Sequence, residues 1–231
     1  MAAPQDRGLS GFYRAIGAAA LLGAAAIGYL VVRRPAVSIP ANVTVLEADT
    51  AGFRGYLLGA DSAPLEVTEY ADYQCPACQQ FTLVQMPSIE ERLIRTGRVR
   101  WRYRDFPLDQ IHPHARLVAH AAACAADQGK YWDMHRRIYR GQPEWSVQRD
   151  ASGTLRRYAR ELGLDLAAYD TCMQTAKYAG RIEASKREGE RLGVPSTPTF
   201  LINGRLYSGM GTVTYDVLKG MLDSLARAGP R

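Results

Sequence analysis

The sequence predicts an α/β protein in which an all-helical block interrupts a strand-bearing domain. Three observations carry that prediction. An apolar run at 65–70 leads directly into Cys75-Pro76-Ala77-Cys78, residues 98–104 alternate strictly between charged and apolar, and helical spacing then holds from Pro113 to about Leu192 before strand character returns at Thr199.

The run at 65–70 reads as a strand, with a pairing partner expected at 55–58 across an Asp61-Ser62-Ala63-Pro64 turn. A helix opens after Cys75 and runs to about Thr96, bent at Pro87 and closed by Gly97. Next, Val99, Trp101 and Tyr103 alternate with Arg98, Arg100, Arg102 and Arg104, a two-residue period that demands one apolar and one charged face. The arginines read as the face of a solvated or edge strand, their stems lying along apolar neighbours, rather than as a patch for acidic partners. In the helical block, Leu155, Tyr158, Ala159 and Leu162 fall at i, i+3, i+4 and i+7, with Gly163 as the stop. Tyr131, Met134 and Ile138 mark a second helix, and Leu166, Tyr169 and Met173 a third with Asp165 as its N-cap. Asn203-Gly204 is a strong hairpin turn after 199–202, and Leu218, Met221, Leu222 and Leu225 line a last amphipathic helix.

A chain of 231 residues holds one sizeable domain, or a small domain with an insertion, plus a tail. The formal charge is +6, but beyond residue 36 it falls to 25 basic against 22 acidic residues, too small an excess to support a nucleic-acid role. Residues 15–32 are uncharged between Arg14 and Arg33-Arg34, just long enough to cross a bilayer, while Ala24-Ala25-Ala26 offers a cleavage site for an export signal. An uncleaved anchor is the favoured reading, with 1–14 cytoplasmic and 33–51 a linker. Four cysteines in two plausible pairs suit an oxidising compartment, so the bulk of the chain is expected outside the cytoplasm.

Cys75 and Cys78 have the spacing and the strand-then-helix context of a redox-active dithiol. Exchange requires a thiolate, and unpaired backbone N–H groups at a helix start favour an anion there, so Cys75 is the expected attacking sulfur. Pro76 costs nothing at the first turn, and Cys78 lies one turn on, placed to displace a mixed disulfide. Half of a zinc site and an inert disulfide share this spacing. Zinc would need two more closely spaced ligands, whereas Cys124 and Cys172 stand apart and His112, His114 and His120 occupy another segment without a cysteine pair. The three histidines read as packing residues near the start of a helix, and neither a metal nor a cofactor is expected.

The order of these pieces resembles the DsbA-like thiol:disulfide oxidoreductases, in particular the membrane-anchored, four-cysteine bacterial type. Residues 69–78 (Glu-Tyr-Ala-Asp-Tyr-Gln-Cys-Pro-Ala-Cys), the helical block, and residues 193–200 (Gly-Val-Pro-Ser-Thr-Pro-Thr-Phe) carry the resemblance over about residues 52–228. It implies a thioredoxin fold, built from 52–110 and 193–231 with a helical insertion at 111–192. It further implies a cis Thr197-Pro198 bond facing the dithiol and pairing with an extended substrate, and Glu69 as a buried acid that exchanges protons with Cys78. A second, structural disulfide between Cys124 and Cys172 is implied in the same way. Strongly oxidising members carry histidine before the second cysteine; here Ala77 stands in its place, which suggests a less oxidising couple.

The expected function is thus disulfide formation in exported proteins, with the reduced dithiol recycled by a quinone-linked membrane oxidase of the DsbB or VKOR type. The alternative runs the other way, as a reductase or isomerase served by a membrane electron carrier, for example in cytochrome c maturation. A non-enzymatic binding or chaperone module with purely structural cysteines is the third reading.

Overall fold

The computed structural model describes residues 7–32 and 37–228, in two units, Met1–Ala36 and Val37–Arg231. The second unit is built on a five-stranded sheet of order β1-β3-β2-β4-β5, with β1 Tyr56–Leu58, β2 Leu65–Ala71, β3 Val99–Asp105, β4 Thr199–Ile202 and β5 Arg205–Ser208. β2 and β3 run parallel, joined by the helical run at 76–94; the other pairs are antiparallel. This is a thioredoxin fold carrying an additional helical domain, which supplies the helices Ala115–Ala126, Tyr131–Arg140, Ser152–Glu161, Leu166–Gln174 and Ala179–Arg191 between β3 and β4.

Two sequence expectations about the sheet change. Tyr56–Leu58 pairs with β3, not with β2, and β3 is therefore an interior strand rather than an edge. Its arginines are not a free patch either. Arg100 donates to Glu66 at 2.7 Å and to Asp61 at 2.9 Å, Arg102 pairs with Glu66, and Arg104 with Glu188. Neighbouring strands and a helix thus supply the acids that let a charged face sit inside a sheet.

The run at 76–94 alternates α-helical turns (Pro76–Gln80, Met86–Ile89) with π-helical turns (Phe81–Gln85, Glu90–Ile94). Pro87 explains the first irregularity, because an interior proline lacks the N–H of the regular ladder and crowds the carbonyl four residues back. Gly97, at φ +71°, ends the run, with its N–H on Ile94 O and that of Arg98 on Leu93 O. Asn203 and Gly204 both have positive φ, the requirement of the tightest hairpin turns.

The core has two main parts. One sheet face and the helical run at 76–94, called the redox helix from here on for the cysteine pair at its start, bury Leu65, Val67, Phe81, Ile89, Trp101 and Phe200. Helical-domain side chains such as Val118, Met134, Ile138, Trp145 and Leu155 form the other, and Cys75, Cys78, Tyr73 and Tyr103 belong to it. The dithiol therefore sits on the seam between the sheet and the helical domain. Residues 37–51, the described part of the expected linker, lie against this domain: Ile39 is buried, and Arg187 donates to Val43 O at 3.1 Å.

The first unit contains the helix Arg7–Val32, whose side chains are described over 12–25. Among the described residues no helix is long and apolar enough to cross a membrane. The transmembrane helix over 15–32, the membrane-anchored family type, the anchored extracytoplasmic placement and the membrane redox partner inferred from it are therefore all withdrawn. The remainder of the N-terminal expectation, residues 1–6 and 33–36, lies outside the described residues.

Asp165 caps Leu166–Gln174, accepting from Ala167 N at 2.8 Å and Ala168 N at 3.2 Å. Asp165→Ala leaves those donors without their acceptor and is expected to cost about 1 kcal/mol, read as a lower midpoint in urea unfolding with an unchanged slope.

Candidate active site

Cys75 is the N-cap residue of the helical run, one turn beyond the end of β2, and Pro76 occupies the first helical position. Its approach is fixed by Asp72. Gln74 N donates to Asp72 Oδ1 at 2.7 Å, Cys75 N to Asp72 O at 3.1 Å, and Leu108 N to Asp72 Oδ2 at 2.8 Å, so one buried side chain ties the segment before the dithiol to the loop after β3. From the helical domain, Gln142 Nε2 donates to Tyr73 O at 2.7 Å and Cys75 O at 3.1 Å.

The two sulfurs differ. Cys75 is 7 % exposed and Cys78 is completely covered. The Cys75 thiol is pulled down to about 6, chiefly by a hydrogen bond from the Cys78 thiol, which outweighs the desolvation that opposes it; the Thr197 contact and the N–H groups of Cys78 and Ala77 add to the effect. The helix start therefore helps, as its geometry suggests, but the neighbouring sulfur helps more. Cys78 is pushed well up, first by burial and then by Cys75. One sulfur is poised as thiolate while the other holds its proton.

Thr197-Pro198 lies opposite. The peptide bond is cis, and Cys75 Sγ is 3.4 Å from Thr197 O. Thr197 is itself buried, directly ahead of β4.

Glu69 lies on β2 opposite Tyr103 of β3 and Phe200 of β4, 2 % exposed beneath the redox helix. Burial pushes its carboxyl up to about 8, against the one hydrogen bond it accepts, from Trp101 Nε1 to Oε2 at 2.8 Å. Among the described residues Oε1 is buried without a partner, and the carboxyl is within electrostatic reach of Cys78. The surrounding hydroxyls are neutral. Tyr73 OH meets Tyr131 OH and His135 Nδ1, each at 3.0 Å, Tyr103 OH meets Tyr139 OH at 2.9 Å, and burial drives all four phenols up and His135 down to about 3. No cation from this cluster offsets a charge on Cys78.

Cys124 and Cys172 are joined in a disulfide linking Ala115–Ala126 to Leu166–Gln174, remote in sequence from the dithiol. His120 lies with both sulfurs inside 4.8 Å, the arrangement that a metal would need. The donors are already committed: the sulfurs are bonded to each other, and His120 Nε2 accepts from Tyr178 N at 3.1 Å. His114 is a structural residue too, with Nε2 2.7 Å from Gln148 O. His112 departs from the packing role its position suggests, since its Nδ1 lies 2.8 Å from Asp72 Oδ2. Asp72, Gln142 and His112 were not legible as site residues; only Asp72, an Asx-type residue two before Gln74, left a local signal.

A groove of about 470 Å³ runs along the redox helix, lined by Leu83, Met86, Trp132 and Arg136 among others, and neither cysteine lines it. The dithiol lies apart from that groove, on the seam between the sheet and the helical domain, where Cys75 alone of the two sulfurs keeps a small exposed surface.

The thioredoxin family profile matches residues 54–224. Among curated proteins the chain is 36% identical over 156 residues to the Na(+)/H(+) antiporter NhaA 3 of Salinispora tropica, covering 68% of this chain and spanning only 22% of that relative's length. A probable disulfide bond formation protein D of Bacillus anthracis is 24% identical over 168 residues, 72% of this chain and 76% of the relative. Among solved structures, oxidised BdbD from Bacillus subtilis superposes with a TM-score of 0.65 at 22% identity, over 84% of this chain and 100% of that one. Wolbachia pipientis alpha-DsbA1 gives 0.64 at 24% identity, over 76% and 92%.

Glu69 supplies a stability test. Its carboxyl ionises near 4.5 when unfolded and near 8 when folded, so folding holds a proton that the unfolded chain releases and stability falls as pH rises through that window. Glu69→Gln is expected to raise unfolding stability by a few kcal/mol at pH 8 and to change it little at pH 4, measured by urea unfolding at the two pH values.

Proposed function

The chain belongs to the thioredoxin family, and from that premise and its Cys75 and Cys78 pair we propose that it is a thiol–disulfide redox enzyme that forms disulfides in thiol-bearing polypeptides. The observation that supports this reading is the placement of Cys75 at the helix start, 3.4 Å from Thr197 O, with its thiol pulled down to about 6 while burial holds Cys78 well up.

The cycle starts with Cys75 and Cys78 joined. A substrate thiolate attacks Cys75 Sγ, the more exposed sulfur, and the bond to Cys78 breaks. Cys78 is a poor leaving group as an anion, so it must gain a proton; Glu69, neutral below about 8 and with Oε1 uncommitted, is the group that supplies it. The mixed disulfide lies beside Thr197-Pro198, whose backbone pairs with the extended substrate. A second substrate thiolate then attacks the substrate sulfur, and Cys75 leaves readily because its thiolate is stable. The substrate has lost two electrons, which reside on Cys75 and Cys78, and a two-electron acceptor such as a small disulfide restores the protein. Cys124–Cys172 takes no part and acts as a brace, closing a loop worth roughly 4 kcal/mol in the chain-entropy model.

Stabilising a thiolate stabilises the reduced protein. At pH 7, moving a thiol from near 9 to about 6 favours the reduced state by about 1.4 kcal/mol, or about 30 mV for two electrons. Equilibration of the full chain with glutathione buffers is therefore expected to give a potential about 30 mV or more above the roughly −270 mV of thioredoxin, and Cys75→Ser is expected to abolish exchange with peptide thiols. A potential at or below roughly −270 mV, the thioredoxin value, would make the protein a reductase instead.

A further inference from the structure

Three glutamine amides cross the seam around the dithiol. Gln74 Nε2 donates to Ser146 O at 3.4 Å and Gln79 Nε2 to Tyr139 O at 2.9 Å, both reaching out to the helical domain. Gln142 reaches the opposite way, onto the backbone that carries the outer sulfur. Its Nε2 donates to Tyr73 O at 2.7 Å and to Cys75 O at 3.1 Å, so an amide with two hydrogens meets two acceptors that bracket Gln74 and Cys75.

The opposite side of the same backbone is held by Asp72, whose side chain accepts from Gln74 N and whose carbonyl accepts from Cys75 N. The N–H groups are thus fixed from the end of β2 and the carbonyls from the helical domain. Cys75 O also takes the first bond of the redox helix, from Gln79 N at 3.1 Å. Gln142 is itself well seated. It is buried, opens the short helix Gln142–Trp145 and is followed by Pro143. A Cβ on the preceding Gly141 would run into the Tyr158 hydroxyl, and the fully buried Trp145 donates Nε1 to Ile138 O at 2.9 Å.

We propose that Gln142 is the positioning residue of Cys75: by donating to the carbonyls on either side, it keeps Cys75 Sγ aligned for exchange, 3.4 Å from Thr197 O. In the first step the bond from Cys75 to Cys78 breaks as the bond to the substrate sulfur forms, and the electron pair leaves on Cys78. In the second, the bond from Cys75 to the substrate breaks as the substrate disulfide forms, and the pair returns to Cys75. Each step needs the attacking and leaving sulfurs disposed about a sulfur whose own backbone stays in place, and a shift of about 1 Å in such a group is costly in rate. A neutral amide suits the task. It satisfies two carbonyls without setting a charge beside the sulfur that must ionise. The inference rests on the reading of Cys75 as the exchanging sulfur and adds the residue that aligns it.

The test mixes the oxidised full chain with a short cysteine peptide between about pH 5 and pH 8, following loss of the peptide thiol, with urea unfolding measured in parallel. Q142M keeps the length of the side chain and removes both donors; its exchange is expected to be about tenfold slower. Q142E keeps the shape. As a neutral acid it still donates one O–H, whereas its carboxylate turns only acceptors toward two carbonyls, so its rate relative to the unaltered chain is expected to fall as pH rises. A merely structural glutamine would lower the urea midpoint of Q142M and leave the exchange rate of the folded protein unchanged, which overturns the proposal. A Q142E deficit equal at both ends of the pH range overturns it too, and this comparison within one protein stands even if Q142M does not fold. Failure of the exchange reading looks different: the unaltered chain would then leave the peptide thiol unreacted at every pH, which sinks both.

Discussion

A buried carboxylate before the redox helix is the constraint on which the site depends. Asp72 receives backbone N–H groups from Gln74 and Leu108 and the His112 ring, and its carbonyl receives Cys75 N. Tyr139 OH also reaches that carbonyl, at 3.4 Å. These contacts join the end of β2, the loop after β3 and the helical domain at one point. Cys75 can hold its place at a helix start only because the preceding turn is fixed from three sides.

Placement then becomes chemistry through burial. The seam between sheet and helical domain leaves Cys75 a narrow exposed surface and covers Cys78 entirely. Neutral phenols and a neutral His135 surround the inner sulfur, and Glu69 adds below it a carboxyl whose Oε1 has no partner among the described residues. In a medium of low polarity without a nearby cation, a second negative charge is costly, so the pair carries one charge and carries it on the outer sulfur. The helical domain thus contributes directly to the redox chemistry, by supplying Tyr131, His135, Tyr139 and Gln142.

Much of this was legible in the residues. The alternation at 98–104 marked β3 correctly because a two-residue period leaves little choice, and Gly97, Asp165 and Asn203-Gly204 marked boundaries through local backbone chemistry. Pairing was not legible in the same way. Tyr56–Leu58 joins β3 because the chain crosses over, a long-range choice that a turn-like Asp61-Ser62-Ala63-Pro64 does not record. The charged face of β3 suggested an edge, whereas Glu66 and Glu188 arrive from elsewhere to neutralise an interior strand. His112 was hidden for a similar reason: its partner Asp72 stands 40 residues earlier, and no spacing rule links them. The uncharged stretch at 15–32 gave a membrane signal by composition that the described helix does not support.

The central claim is that one sulfur of the pair ionises far more readily than the other. Alkylation of the reduced full chain across pH, with each cysteine quantified by peptide mapping, measures this most directly. Modification of Cys75 should follow a midpoint near 6 while Cys78 stays unmodified until well above pH 9. A Cys75 midpoint at the ordinary thiol value, or equal modification of the two sulfurs, would contradict it.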